Sequence, residues 1–115
     1  MVRHVLALDL KDDPALIEEY RRWHSPGEVP GAVTRSIRAA GITALDIFLT
    51  GNRLVMILEA EEGFTLAAKG EADAADAQVQ AWEKLMWRFQ QALPWAKPGE
   101  KWVEMKRIYA LSQHL

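Results

Sequence analysis

Cysteine is absent from the 115 residues. No disulfide framework, thiolate nucleophile or thiolate metal site can therefore exist, and nothing in the chain calls for an oxidising compartment. Long apolar runs are missing too: none approaches the roughly 18 residues a membrane span needs, and Met1 to Leu10 is too short and too alternating for a signal peptide. A cytoplasmic protein with no membrane partner is the expectation. Charge of one sign is also scarce. The 14 Lys and Arg stand against 16 Asp and Glu without a basic stripe, so nucleic acid is not an expected partner. There is no Gly-x-Gly-x-x-Gly, no phosphate loop, no His-Glu-x-x-His and no pair of histidines at ligand spacing. ATP, nicotinamide and zinc are not implied, and neither a cofactor nor a metal is expected.

What is present is ordinary globular composition, 50% hydrophobic and 26% charged, over a length that holds one core. Residues 1–115 therefore read as a single domain. Five tryptophans in so short a chain leave apolar area for a ligand or a partner.

His4 to Leu10 is aliphatic and ends at Lys11-Asp12-Asp13-Pro14, a strand followed by a helix start with proline near its first turn. Leu16, Tyr20, Trp23 and His24 then share one helical face, and Ser25-Pro26 stops the helix. After Val29-Pro30 a second helix carries Val33, Ile37 and Ala40 and closes on Gly41. Thr43 to Leu49 and Arg53 to Ala60 are strands joined by the hairpin Thr50-Gly51-Asn52, with Leu54, Met56 and Leu58 on one face and Val55, Ile57 and Glu59 on the other. Glu61 to Ala77 reads as short helix and loop. Val79, Trp82, Met86, Phe89 and Leu93 predict a long amphipathic helix over 76–93, and Lys101 to Leu111 a final strand.

That order predicts an α+β fold: a ferredoxin-like four-stranded antiparallel sheet with helices on one face, of the dimeric α/β-barrel type. A sheet apolar on both sides but covered by helices on one calls for a second layer. A two-fold copy is the simplest source, so a homodimer is expected.

Three histidines are available for chemistry. His4 and His114 lack partners at useful spacing. His24 has Tyr20 four residues before it on the same face, beside Trp23 and ahead of a proline-containing loop. The two readings are a catalytic pair and a polar pair satisfying itself at the core edge. Trp82 is either core or the wall of a ligand site. Asp46, Glu59 and Glu104 lie inside strand runs, where carboxylates are depleted; each either meets solvent or Arg53 and Lys106, or accepts hydrogen bonds from ligand hydroxyls. Trp87, Trp95 and Trp102 read as core or dimer contact, with Trp95 or Trp102 as the alternative edge of a pocket.

Tyr20-Arg21-Arg22-Trp23-His24-Ser25-Pro26, Gly41-Ile42, Arg53-Leu54-Val55-Met56, Trp82 with Met86, and the closing Glu104 to Leu111 resemble the L-rhamnose mutarotase family over nearly the whole chain. The resemblance implies a cofactor-free dimeric isomerase that interconverts the α and β anomers of a 6-deoxy-L-sugar. It aligns His24 with the family's proton donor, Tyr20 with a sugar-binding tyrosine and Trp82 with the first of two sugar-binding tryptophans. Two positions depart: a second tyrosine falls near Leu45 and the second tryptophan at Glu83. L-Rhamnose is the first expectation for the substrate and L-fucose the second. His24 would exchange a proton with the ring oxygen, Tyr20 would orient the ring, and Asp46, Glu59, Glu104 or a water would serve the anomeric hydroxyl. Other functions remain for this fold: a haem-binding or oxygenase protein with His24 as axial ligand, and a non-catalytic small-molecule binding module.

Overall fold

Local chemistry sets the element boundaries in the computed structural model, which describes residues 1–114. Strand β1 (Val2–Leu10) runs into Asp13, whose carboxylate accepts from the backbone N–H of Ala15 and Leu16 and caps helix α1 (Pro14–Trp23). Pro14 occupies the first turn, where its missing N–H costs nothing. Helix α2 (Gly31–Ala39) follows Pro30 and gives way at Gly41, whose φ of +90° is open to glycine and strained for other residues. Strands β2 (Ile42–Thr50) and β3 (Arg53–Ala60) pair through Thr50 and Arg53, with Gly51 at φ +56° in the turn. Thr65 caps helix α3 (Leu66–Ala74) and Asp76 caps helix α4 (Ala77–Trp87).

Two short strands complete the sheet, β4 (Gln90–Gln91) and β5 (Val103–Glu104). The order is β2-β3-β1-β4, with β5 also on β1, and every pairing is antiparallel. This is the expected ferredoxin-like order of strands.

Three expectations are corrected. The sheet is open: β2 forms one edge, β4 and β5 the other, and the edges do not pair, so the barrel-type architecture does not hold. Closure needs strand pairing all the way round, and two-residue edge strands do not supply it. The long helix ends at Trp87 because the chain turns there and Gln90 pairs with Leu10; Phe89 and Leu93 are buried from outside the helix. The last strand shrinks from Lys101–Leu111 to Val103–Glu104, since β1 shares its edge between β4 and β5.

Alternation on the strands sorts the sheet into two faces. Leu6, Leu8 and Leu10 stand beside Met56, Leu54 and then Ile47 and Leu49 on the face that carries the helices. Leu10, Tyr20, Leu54, Met86 and Phe89 form one buried cluster; Leu6, Ile42, Leu58 and Ala60 form another. Trp102 packs against both. The opposite face carries Val5, Ala7, Val55, Ile57 and Phe48, and there Asp9 is buried with Arg53 bonded to both its oxygens, at 2.8 and 3.2 Å. No described helix covers this face, and Phe48 is 57% exposed. Among the described residues no helix is long and apolar enough to cross a membrane.

Candidate active site

Between the helix-bearing face and the helices lies a cavity of about 650 Å³, lined by both clusters. The end of α1 supplies its chemistry. A residue at the last turn of a helix has no intrahelical duty for its side chain, and His24 caps α1 with φ −99° and ψ 6°. Its Nδ1 lies 2.8 Å from the Tyr20 carbonyl oxygen, which can only accept. Nδ1 is therefore the protonated nitrogen, and in the neutral ring Nε2 keeps its lone pair. Burial pushes the His24 pKa below the usual histidine value, against the opposing effect of that backbone hydrogen bond, so the ring is neutral at pH 7.

Tyr20 lies one helical turn earlier, its ring centroid 4.3 Å from that of His24. The phenol is buried, and its oxygen accepts from Nε2 of the buried Gln90 at 3.3 Å. An amide N–H cannot take the phenolic proton, so Tyr20 keeps it for an acceptor in the cavity. Burial raises the Tyr20 pKa, with Gln90 opposing, and the group stays protonated. Trp82 of α4 meets His24 edge to face at 5.6 Å and Trp23 at 6.1 Å. An imidazole acceptor, a phenolic donor and an indole wall thus meet in one apolar-walled space. Such a set suits proton movement on a small polyhydroxylated molecule.

Of the residues singled out in the sequence, His24, Tyr20 and Trp82 line the cavity. Asp46, Glu59 and Glu104 do not. Asp46 and Glu59 sit on the other sheet face, opposite Ile57 and Ala44 respectively, and Glu104 bonds His4 Nδ1 at 2.6 Å at the sheet edge. Leu45 and Glu83, where the family contacts were expected to differ, both line the cavity, as does Trp102. Sequence reasoning missed Gln90, Lys69 and Asp73, which also line it. Gln90 lies within the periodic pattern but off its apolar stripe, and the structure places it in β4, past the end of α4. Lys69 and Asp73 lie in a stretch whose period gives no inward face, although their spacing of four residues was a usable signal.

The L-rhamnose mutarotase family model matches residues 3–111, which include every residue of this constellation. The chain belongs to the L-rhamnose mutarotase family. It is a mutarotase-type isomerase of 6-deoxy sugars. Within this family's reach, an L-fucose mutarotase of Xanthomonas campestris pv. campestris is 54% identical over 113 residues, covering 98% of this chain and 90% of that protein. A Dictyostelium discoideum protein is 34% identical over 109 residues, 91% of this chain and 86% of its own length. Among solved structures, the L-rhamnose mutarotase of Formosa agariphila superposes with a TM-score of 0.70 at 13% identity, covering 96% of this chain and 98% of that one. The tetracenomycin F2 cyclase of Streptomyces glaucescens does so with a TM-score of 0.65, also at 13% identity, covering 96% of each. At that identity these two structures show a shared fold, and the mutarotase family membership rests on the sequence match.

Proposed function

We propose that the chain is an L-fucose mutarotase in which His24 carries the proton and Tyr20 and Trp82 hold the ring. The observation behind the proton role is the hydrogen bond from His24 Nδ1 to the Tyr20 carbonyl, which leaves Nε2 as the free acceptor of a side chain that lines the cavity.

In ring opening the anomeric hydroxyl gives its proton to Nε2. The C1–O bond to the ring oxygen breaks, its electron pair stays on that oxygen, and C1 becomes an aldehyde. The imidazolium then delivers the same proton to the former ring oxygen. Both oxygens are bonded to C1, so one imidazole serves both. Tyr20 donates its O–H to the ring oxygen as negative charge develops there. Rotation about the C1–C2 bond and the reverse steps close the ring on the other face. The proton balance needs no second base, and the strand carboxylates Asp46, Glu59 and Glu104 have no part in it. Acid-base assistance of this kind contributes roughly 10²–10⁴-fold.

L-Fucose is favoured over L-rhamnose by two observations. The Xanthomonas relative at 54% identity is an L-fucose mutarotase. Leu45 and Glu83 stand in the cavity where the resemblance to rhamnose enzymes called for a tyrosine and a tryptophan. Saturation-transfer NMR of L-fucose and L-rhamnose with the purified protein tests this: faster anomer exchange for L-fucose supports it, and faster exchange for L-rhamnose reverses the assignment.

The same reading takes residues 1–115 as one mutarotase domain, working in the cytoplasm as a homodimer. The helix-free sheet face supports the dimer, with Phe48 and Met105 exposed beside Val5, Val55 and Ile57.

A further inference from the structure

Helix α3 turns a charged pair inward beside Leu66, while Glu71 meets solvent. An amphipathic helix buries its apolar stripe and shows charge to water. Here Ala67, Ala68, Ala72 and Ala74 are exposed, while the Lys69 and Asp73 side chains keep only 15% and 16% of their accessible surface and line the cavity. The ammonium of Lys69 bonds the Asp73 carboxylate, and among the described residues neither side chain has another hydrogen-bond partner. Two donor hydrogens and a carboxylate oxygen therefore remain unspent on the cavity wall.

Stability does not account for this arrangement. An i,i+4 pair on an exposed face contributes little, and withdrawing two charges from water offsets that gain. Gly70 points the same way. It is exposed at the rim of the cavity, and an added Cβ there would meet nothing within 4 Å, so the wall beside the pair is open. The helix thus keeps a charged pair and free space side by side.

We propose that Lys69 and Asp73 form the subsite that binds a vicinal diol of the sugar and select among 6-deoxy-L-hexoses. One hydroxyl donates to the Asp73 carboxylate and its neighbour accepts from the Lys69 ammonium, while Gly70 leaves room for the ring. A hydroxyl is donor and acceptor at once, so adjacent hydroxyls match an adjacent acceptor and donor. L-Fucose and L-rhamnose differ in configuration at C2 and C4, which changes where the cis diol lies on the ring. Gln80 steadies the subsite: its Nε2 lies 2.9 Å from the Asp73 carbonyl oxygen and 3.1 Å from the Glu83 carboxylate, joining the end of α3 to α4. This inference rests on the mutarotase reading but assigns the diol, not the reacting oxygens, to α3.

The test is saturation-transfer NMR at several sugar concentrations, giving KM and kcat for L-fucose, L-rhamnose and the analogues of the preferred sugar lacking one ring hydroxyl. Asp73→Asn is compared with wild type, and the double variant Lys69→Met with Asp73→Leu covers the case of a misfolded single variant, because apolar replacement of a shielded pair preserves folding. The expected result is a KM for the preferred sugar raised about ten-fold or more, kcat little changed, and no change for the one analogue that lacks the bound hydroxyl. A purely structural pair would lower the melting temperature and leave the ratio of KM values between sugars as it was, which overturns the proposal. Wild-type protein that accelerates no sugar overturns the mutarotase reading and this inference with it. Normal wild-type exchange with unchanged KM in the variants overturns the inference alone.

Discussion

His24 and Tyr20 are joined twice: the imidazole Nδ1 donates to the Tyr20 carbonyl at 2.8 Å, and the two rings lie 4.3 Å apart across one turn of α1. The first contact fixes which nitrogen of His24 is free. The second places a phenolic donor beside that nitrogen's cavity. Helical spacing therefore brings an imidazole acceptor and a phenolic donor to one cavity wall.

If His24 carries the proton as proposed, its lowered pKa gives the activity a defined pH dependence. The neutral ring is then the working form, and it persists to below the ordinary histidine value of about 6.5. Anomer exchange should fall with decreasing pH as the imidazolium forms, with a midpoint below that value. A kcat/KM profile from NMR checks this, and a fall centred above pH 7 contradicts a buried, neutral His24.

Folding stability carries the same signature. The unfolded chain takes up a proton on His24 near the ordinary value while the folded chain resists it, so stability is complete above that value and is lost as pH falls toward the folded pKa. Urea midpoints measured between pH 8 and 5 should decline, and His24→Gln should flatten the decline.

Tyr20→Phe removes the proposed donor to the ring oxygen and strips the buried Gln90 amide of its acceptor. We expect exchange to slow by about 10- to 100-fold and stability to drop by about 1–2 kcal/mol. The pair of measurements is kcat by NMR and the urea midpoint. Wild-type exchange in a destabilised variant would make Tyr20 structural.

Asp46→Asn, Glu59→Gln and Glu104→Gln should each leave anomer exchange within about two-fold of wild type, because their side chains lie outside the cavity. A loss of ten-fold or more in any of them would return a strand carboxylate to the mechanism.

Phe48→Glu puts a charge on the helix-free face where a phenylalanine is 57% exposed. Sedimentation velocity at micromolar concentration should show a dimer for wild type and a monomer for the variant. A folded wild-type monomer would mean that this face needs no partner copy.

Much of this was legible in the residues. Alternation on Arg53 to Ala60, the Gly51-Asn52 turn and the Asp13-Pro14 cap are local signals that tertiary structure had no reason to override, and β3, the hairpin and α1 follow them. Helical spacing put Tyr20 and His24 on one face and left a polar pair as the alternative, the family resemblance singled out both with Trp82, and the structure lines one cavity with all three. The limits of α4 were not legible, since Phe89 and Leu93 are buried on the far side of a turn while continuing the helical spacing. Periodicity records burial and is silent on what kind of backbone delivers it. Lys69 and Asp73 escaped notice for the opposite reason: a helix that faces its cavity with charge leaves no apolar stripe to read. The strand carboxylates drew attention because charge is rare in strands, yet the outer sheet face and the sheet edge accommodate them.

The most direct test of the account is saturation transfer between the anomers of L-fucose with wild-type protein and with His24→Ala. The account predicts clear acceleration by wild type and a loss of about 10²-fold or more in the variant, with the variant's far-UV circular dichroism unchanged. Exchange in the folded variant equal to that of wild type would contradict His24 as the carrier of the proton.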